Sequence, residues 1–189
     1  MLAYVFWHWP RPDHVAAEYE RFQRAFHRAL AQSAPRGFVS SLTFRIDGQA
    51  AWLGGGPAYA DWYLVENSAA LDPLNVAAVS GVCEAPHTAV AQAMAAGAGS
   101  LFGLRVDDAS RPAQPNLSSA RSLAFLTKPR DMPYAEFYAT LAALPTAPDS
   151  TLWRRQMVLG PTPEFALLSP KPPEPPASLN PLPLTVRPI

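Results

Sequence analysis

The order of strand and helix patterns is the feature that most restricts the fold of this 189-residue chain. Residues 1–108 alternate between short apolar, β-branched or aromatic runs and longer segments with apolar residues every three or four positions. The predicted order is β-α-β-β-α-β. After a polar linker at 109–119, a strand, a helix and two more strands are predicted again in 120–169. The chain therefore looks internally repeated.

Short matches between the two parts support this repeat. Pro129-Arg130 after the predicted strand Leu123 to Thr127 corresponds to Pro10-Arg11 after the first strand, and Gly160-Pro161 corresponds to Gly56-Pro57. The period is about 104 to 119 residues, which indicates duplication of a domain rather than a solenoid of short repeats. The second part lacks its last helix and strand, and the proline-rich segment 170–189 stands in their place.

A β-α-β-β-α-β sheet carries its helices on one face, so its other face must be buried against something else. Two such sheets can bury each other. The predicted fold class is therefore α+β, with two ferredoxin-like repeats whose antiparallel sheets pack face to face, the second repeat being truncated. The eight prolines of 170–189 predict an arm that is neither a helix nor a central strand. This arm is either a solvated tail or is docked through its leucines on this subunit or a partner.

The element order over residues 2 to 168 resembles the dimeric α+β barrel superfamily, with both halves in one chain. The segments Trp52 to Pro57, Asp61 to Val65 and Leu159 to Pro161 also resemble uncharacterised bacterial proteins. The superfamily contains cofactor-free monooxygenases, haem-degrading oxygenases, haem enzymes of the chlorite-dismutase kind and muconolactone-type isomerases. The resemblance implies a fold, and fold alone does not define an activity.

Composition excludes several classes of partner and site. Lys and Arg number 15 and Asp and Glu number 15, so no basic excess is available for nucleic acid or for anionic membranes. No apolar run is long enough for a membrane-spanning helix, and no secretory signal is recognisable. The single cysteine, Cys83, excludes an internal disulfide and favours a cytoplasmic protein. The partners left are a small-molecule ligand and a second copy, in a homodimer formed through a sheet or through the proline-rich arm.

His8, Asp61 and Tyr63 are the candidate catalytic residues. Strand alternation places His8 on the same face as Tyr4 and Phe6, in the inter-sheet cavity or near its rim, where imidazole can exchange a proton with a ligand. Alternation also pairs Asp61 with Tyr63, so that a carboxylate and a phenol can orient a polar ligand. The structural alternatives are a strand-end histidine bonded to backbone and an edge aspartate that accepts turn amides.

Trp52, Arg155 and His87 are the candidate ligand-binding residues. Trp52 would close the cavity, and Arg155 would bind an anionic group if it points inward rather than forming a surface salt bridge. His87 follows Pro86 near a helix start and shares an inward stripe with Val90 and Met94, so it could ligate haem or simply pack. We expect His14 and His27 to face solvent. The histidine spacings predict no metal site and no cofactor is expected, haem through His87 being the exception left open.

Three functions remain open from the sequence, and it does not decide whether the protein is an enzyme. The first is a small-molecule-binding protein, such as a cofactor-independent monooxygenase-like or isomerase-like enzyme. The second is a non-enzymatic assembly or regulatory module whose inter-sheet space is simply packed. A further alternative is a haem-binding protein that uses His87.

Overall fold

The computed structural model describes residues 1–53, 56–105, 115–144, 146–157 and 159–189. The predicted linker at 109–119 lies largely outside these ranges, as do Gly54 and Gly55. In chain order the strands and helices are β1 (Leu2–Pro10), α1 (Ala16–Ser33), β2 (Phe38–Asp47), β3 (Ala58–Val65), α2 (Leu71–Ala78), α3 (Glu84–Ala93), β4 (Met94–Arg105), β5 (Ser122–Leu126), α4 (Tyr134–Ala142), β6 (Thr151–Arg155), β7 (Phe165–Ser169) and β8 (Leu182–Pro188).

The strands form a closed antiparallel barrel in the order β1-β3-β2-β8-β5-β7-β6-β4. Helices α1, α2 and α3 pack on its outside, and this arrangement confirms the predicted α+β class with antiparallel sheet. Strands of the first part lie in the order β4-β1-β3-β2 and those of the second in the order β8-β5-β7-β6. The two parts meet at the pairs β2·β8 and β4·β6, so one chain closes the barrel.

The proline-rich segment contributes β8, contrary to the prediction that it could not form a central strand. Leu182 to Thr185 pair with β5 on one side, whereas Thr185 to Pro188 pair with β2 on the other. Each half of β8 therefore pairs mainly on one side, and the missing amide donors of Pro183 and Pro188 can be tolerated there. The predicted domain boundaries at residues 108, 119 and 169 stay predictions.

The barrel interior is filled by side chains. Alternate residues of every strand point inward, and the largest of them are the buried rings of Trp7, Phe44, Trp62, Phe102, Phe125 and Trp153. Trp62 contacts Trp153 edge to face, with ring centroids 5.4 Å apart. The space between the two halves is therefore a packed core, as the module alternative required. In the described part of the chain, no helix has the length and apolar character needed to span a membrane.

Candidate functional site

A cavity of about 490 Å³ lies outside the barrel wall, beneath the helices of the first part. Its floor is formed by outward-facing residues of β1 and β3, and its walls come from α1, α2, α3 and the first residue of β4. The residues with polar groups that line it are Tyr4, His8, Asp61, Tyr63, Asp72, Asn75 and His87, and the remaining lining is apolar. This cavity lies between the sheet and its helices, so the prediction that His8 lies in an inter-sheet cavity or near its rim is wrong.

Strand alternation explains which side chains reach the cavity floor. On β3, Trp62 and Leu64 point into the barrel core, while Asp61 and Tyr63 point outward beneath α1. The antiparallel register places Asp61 opposite Thr43 on β2 and opposite Phe6 on β1. The pairing predicted for Asp61 with Tyr63 is therefore present on the cavity side.

Asp61 is 2% exposed and lies at the centre of a polar cluster. Its Oδ1 accepts a hydrogen bond from Thr43 Oγ1 at 2.7 Å and lies 3.1 Å from His8 Nε2 and 3.3 Å from His27 Nε2. Its Oδ2 accepts a hydrogen bond from the Tyr63 hydroxyl at 2.9 Å. Because a carboxylate oxygen has two acceptor directions, Oδ2 keeps more free capacity than Oδ1.

The far nitrogens of both imidazoles have hydroxyl partners. His8 Nδ1 lies 2.6 Å from the Tyr19 hydroxyl, and His27 Nδ1 lies 2.6 Å from Ser41 Oγ. Each neutral imidazole carries one ring hydrogen, which can sit on Nδ1 and be donated to the neighbouring hydroxyl, or sit on Nε2 beside Asp61. Neither Nε2 has a hydrogen-bond partner among the described residues, although both lie within 3.3 Å of Asp61 Oδ1.

The neighbours of Asp61 determine its ionisation. Burial alone would raise the pKa of Asp61, but the attraction of His8 and His27 outweighs burial and holds that pKa well below its ordinary value. Burial, together with the Asp61 charge, raises the pKa of Tyr63 well above that of a free phenol. Tyr63 thus stays a hydrogen-bond donor and Asp61 stays an acceptor across the neutral range.

Four of the six residues predicted for the site come together at the cavity. His8, Asp61 and Tyr63 line its floor and His87 lines the helical side, with Val90 and Met94 beside it as the predicted inward stripe requires. The His87 ring lies edge-on to Phe26, with ring centroids 5.5 Å apart. The roles assigned to these four residues stay predictions.

The structure does not bring Trp52 or Arg155 to the cavity. Trp52 packs edge-on against Trp7 and Phe125 of the barrel core, with centroid distances of 6.0 and 5.0 Å, on the opposite side of the wall from His8. Arg155 ends β6 and donates hydrogen bonds to the carbonyl oxygens of Gly160 and Thr162. Its guanidinium therefore fastens the segment that precedes β7.

His27 is the residue that the sequence placed wrongly. It was expected to face solvent because it lies off the apolar stripe of α1, yet it is 9% exposed and contacts Asp61. Glu20 and Gln23 of the same helix are also buried. This second, polar stripe of α1 faces the polar outer side of β2 and β3, where Ser41 and Thr43 lie. The four-residue spacing of Gln23 and His27 indicated the stripe, but not its partner.

Haem, which the resemblance to the dimeric α+β barrel superfamily suggests, fits these residues incompletely. His87 faces the cavity and offers an imidazole as an axial ligand. The described lining, however, contains the carboxylates of Asp61 and Asp72 and no Lys or Arg to pair with the two haem propionates. The residues thus do not make a haem site. Across the described ranges, no cluster of three or more His, Cys, Asp or Glu is arranged to hold a metal ion.

Comparison with known proteins supports the fold. No protein-family model matches the chain, and no curated protein matches it. Among solved structures it is similar to one described as "Crystal structure of Putative Chlorite dismutase TA0507", with a TM-score of 0.50 and 11% sequence identity. The similarity covers 100% of this chain and 95% of that chain. At this identity the likeness concerns the fold alone, and it agrees with the α+β barrel class that the sequence resemblance implied.

Proposed function

We propose that the protein binds a largely apolar small molecule in the cavity of about 490 Å³ and removes a proton from it. One observation carries this proposal: a nearly inaccessible carboxylate, Asp61, lies at the floor of an otherwise mainly apolar cavity, joined to two imidazoles. Burying a charged cluster is costly, and a cavity of this size falls within the usual range for ligand sites of roughly 300 to 1,000 Å³.

The chemistry proposed for the cluster is general acid-base transfer. When the ring hydrogen of His8 is on Nδ1 and donated to Tyr19, a ligand hydroxyl or acidic C–H that reaches His8 gives its proton to Nε2. The ligand keeps the electron pair of the broken bond, and His8 carries a positive charge beside the Asp61 carboxylate. Tyr63, which remains protonated, donates its hydroxyl hydrogen to Asp61 Oδ2, and its oxygen can accept a hydrogen bond that orients the ligand. Deprotonation in a dry cavity is the step that isomerase-like and cofactor-independent monooxygenase-like reactions share.

His27 supplies a route by which such a proton can exchange with solvent. Its Nε2 lies beside Asp61, and its Nδ1 lies beside Ser41, a half-buried residue on β2. A proton that reaches the cluster can therefore pass through the His27 ring toward the surface without the cavity opening. The other imidazole, His8, faces the fully buried Tyr19 hydroxyl with its Nδ1.

Proton removal can be tested with 2-tetralone, a neutral two-ring ketone that carries acidic C–H bonds beside its carbonyl. In D2O, the protein should accelerate the exchange of these hydrogens, followed by proton NMR. Replacing His8 with Ala should slow the protein-dependent rate at least about tenfold, which is a modest effect for loss of a general base. The matched control is His14→Ala, because His14 lies outside the cavity, 3.6 Å from Glu18.

Ala91→Trp is a second test, since Ala91 is an exposed residue of α3 at the cavity lining and a bulky side chain there fills the space. The exchange rate should fall to that of solution without protein, while the melting temperature stays near the wild-type value. Equal exchange rates for wild type, His8→Ala and Ala91→Trp would contradict the proposal. Absence of acceleration together with absence of 2-tetralone binding would favour the non-enzymatic module, which the packed barrel interior supports.

Haem can be tested with the same proteins. His87 and the chlorite-dismutase description of the structural neighbour are the two observations in its favour, and the uncompensated carboxylates oppose it. Added haemin should keep its free spectrum if the lining excludes it. A shifted Soret band that disappears in His87→Ala would show instead that His87 ligates haem.

We further propose that the chain is a tandem duplication of a ferredoxin-like unit. The strand orders β4-β1-β3-β2 and β8-β5-β7-β6 support this, because β8 stands in the second part where β4 stands in the first. The second part carries α4 but, in the residues described, no counterpart of α2 and α3 precedes β8. A cavity of the kind found in the first part needs those helices.

A further inference from the structure

The charges that line the cavity have one sign. Asp61 lies at the floor and Asp72, in the first turn of α2, lies at an exposed position of the lining. No Lys or Arg is found among the described lining residues, and the other titratable groups that face the space are the imidazoles of His8 and His87 and the phenols of Tyr4 and Tyr63. A carboxylate at each end and no fixed cation make the cavity attractive to positive charge.

Aromatic rings add to this preference. Tyr4, Phe6, Phe26 and Tyr63 all line the cavity, and Tyr4 stacks on Tyr63 with ring centroids 5.9 Å apart. The face of an aromatic ring carries partial negative charge, so a cation within about 6 Å of a ring centroid is attracted to it. A site that combines several rings with a carboxylate therefore distinguishes a cation from a neutral molecule of the same shape.

The unfilled acceptor capacity of Asp61 Oδ2 indicates which kind of hydrogen-bond donor a ligand would carry. Oδ1 is surrounded by Thr43, His8 and His27, whereas Oδ2 accepts one hydrogen bond from the described residues, that of Tyr63. An N–H of a protonated amine would give Oδ2 a second hydrogen bond. That bond would be charge-assisted and therefore stronger than a bond from a neutral hydroxyl. The low pKa of Asp61 keeps the carboxylate ionised for that partner.

We propose that the ligand is an organic cation, a protonated amine on an apolar body, whose N–H group binds Asp61 Oδ2 while its rings or chain contact the aromatic walls. This inference rests on the proposed function, because a cavity that binds no small molecule cannot select among charges. It goes further by naming the ligand's class.

Three probes of the same shape test the inference by calorimetry at about pH 8. They are 2-(aminomethyl)naphthalene, 2-(hydroxymethyl)naphthalene and 2-naphthoate. The amine should bind at least tenfold more tightly than the alcohol, and the carboxylate should bind most weakly. Asp61→Asn should make the affinities of the amine and the alcohol equal. Asp72→Asn should lower the ratio of the two affinities only a few-fold, because Asp72 is exposed and its charge is screened. Asp131→Asn, an exposed aspartate in the other half of the chain, is the matched control.

Each outcome distinguishes the two proposals. If the amine and alcohol bind equally, or if 2-naphthoate binds best, the cationic class is wrong while small-molecule binding stands. If no probe binds the wild-type protein, both proposals fail. Should Asp61→Asn fail to fold, Ala91→Trp takes its place as the test of location: binding of the amine that persists with the cavity filled would contradict the assignment to this site.

Discussion

At the scale of single residues, the buried carboxylate of Asp61 links stability to acidic pH. Its pKa is lower in the folded protein than in the unfolded chain, where an aspartate titrates near 3.9. The unfolded state therefore binds the proton more readily. The stabilisation from Asp61 is complete above about pH 4 and is lost as pH falls below that value toward the folded pKa.

Asp61→Asn should weaken this acid dependence. The variant loses the charge that His8 and His27 face, so at neutral pH its free energy of unfolding should be about 1 to 3 kcal/mol lower than that of the wild type. As pH falls below about 4, the difference should shrink. Urea unfolding followed by tryptophan fluorescence at several pH values measures both effects. A difference that stays constant down to acidic pH would contradict the ionisation assigned to Asp61.

Tyr63 makes the corresponding prediction on the alkaline side. Its pKa is raised in the folded state by burial and by the Asp61 charge, so its contribution is complete below about pH 10 and is lost above it. Tyr63→Phe should flatten the fall in stability above about pH 10. Tyr134→Phe is the comparison, because Tyr134 is 41% exposed. Its hydrogen bond to Glu164 also raises its pKa, but solvent screening should make the flattening smaller than in Tyr63→Phe.

Part of the site was predictable at this scale, because strand alternation requires no knowledge of the fold. Alternation assigned His8 to the face of β1 that carries Tyr4 and Phe6, and it assigned Asp61 and Tyr63 to one face of β3. All three predicted residues line the cavity. His27 was missed because periodicity identifies a helix's apolar stripe but not which polar residues meet a polar strand face. Trp52 was misplaced because it lies in the loop between β2 and β3, and Arg155 because its partners Gly160 and Thr162 lie in the loop between β6 and β7. The pattern does not determine the paths of these loops.

At the scale of elements, β8 shows why proline content alone was misleading. Eight prolines in 170–189 argued against a central strand, yet Leu184 and Val186 point into the barrel core and are 2% and 1% exposed. The apolar residues at every second position from Leu182 to Val186 are a strand pattern. That pattern prevailed because closing the barrel buries these side chains between β2 and β5.

Leu184→Ala tests whether β8 is an integral strand. Removing a buried leucine side chain should lower the free energy of unfolding by about 2 to 5 kcal/mol. Leu159→Ala is the matched control, because Leu159 is 50% exposed and its loss should cost less than about 0.5 kcal/mol. Urea unfolding of both variants gives the two values. Equal small losses would show that residues 182–188 act as a detachable arm.

At the scale of the whole molecule, the two parts of the chain share one interior. Trp62 and Phe102 from the first part contact Trp153 and Phe125 from the second, so neither part buries its inner sheet face alone. The sequence predicted this burial of one sheet by another and could not show whether it occurs within a chain or between chains. Because one chain closes the barrel, a homodimer, which stays a prediction, would have to use outer surfaces.

Shared burial predicts that the protein unfolds as one unit, even though its two parts look like repeats. The interior rings lie across both parts, and the pairs β2·β8 and β4·β6 join them on both sides. Losing either part exposes the aromatic face of the other, so a state with one part folded is unfavourable. Urea transitions measured by far-ultraviolet circular dichroism and by tryptophan fluorescence should therefore coincide. Two separated transitions would show that each part is stable by itself and that the common core contributes little to holding them together.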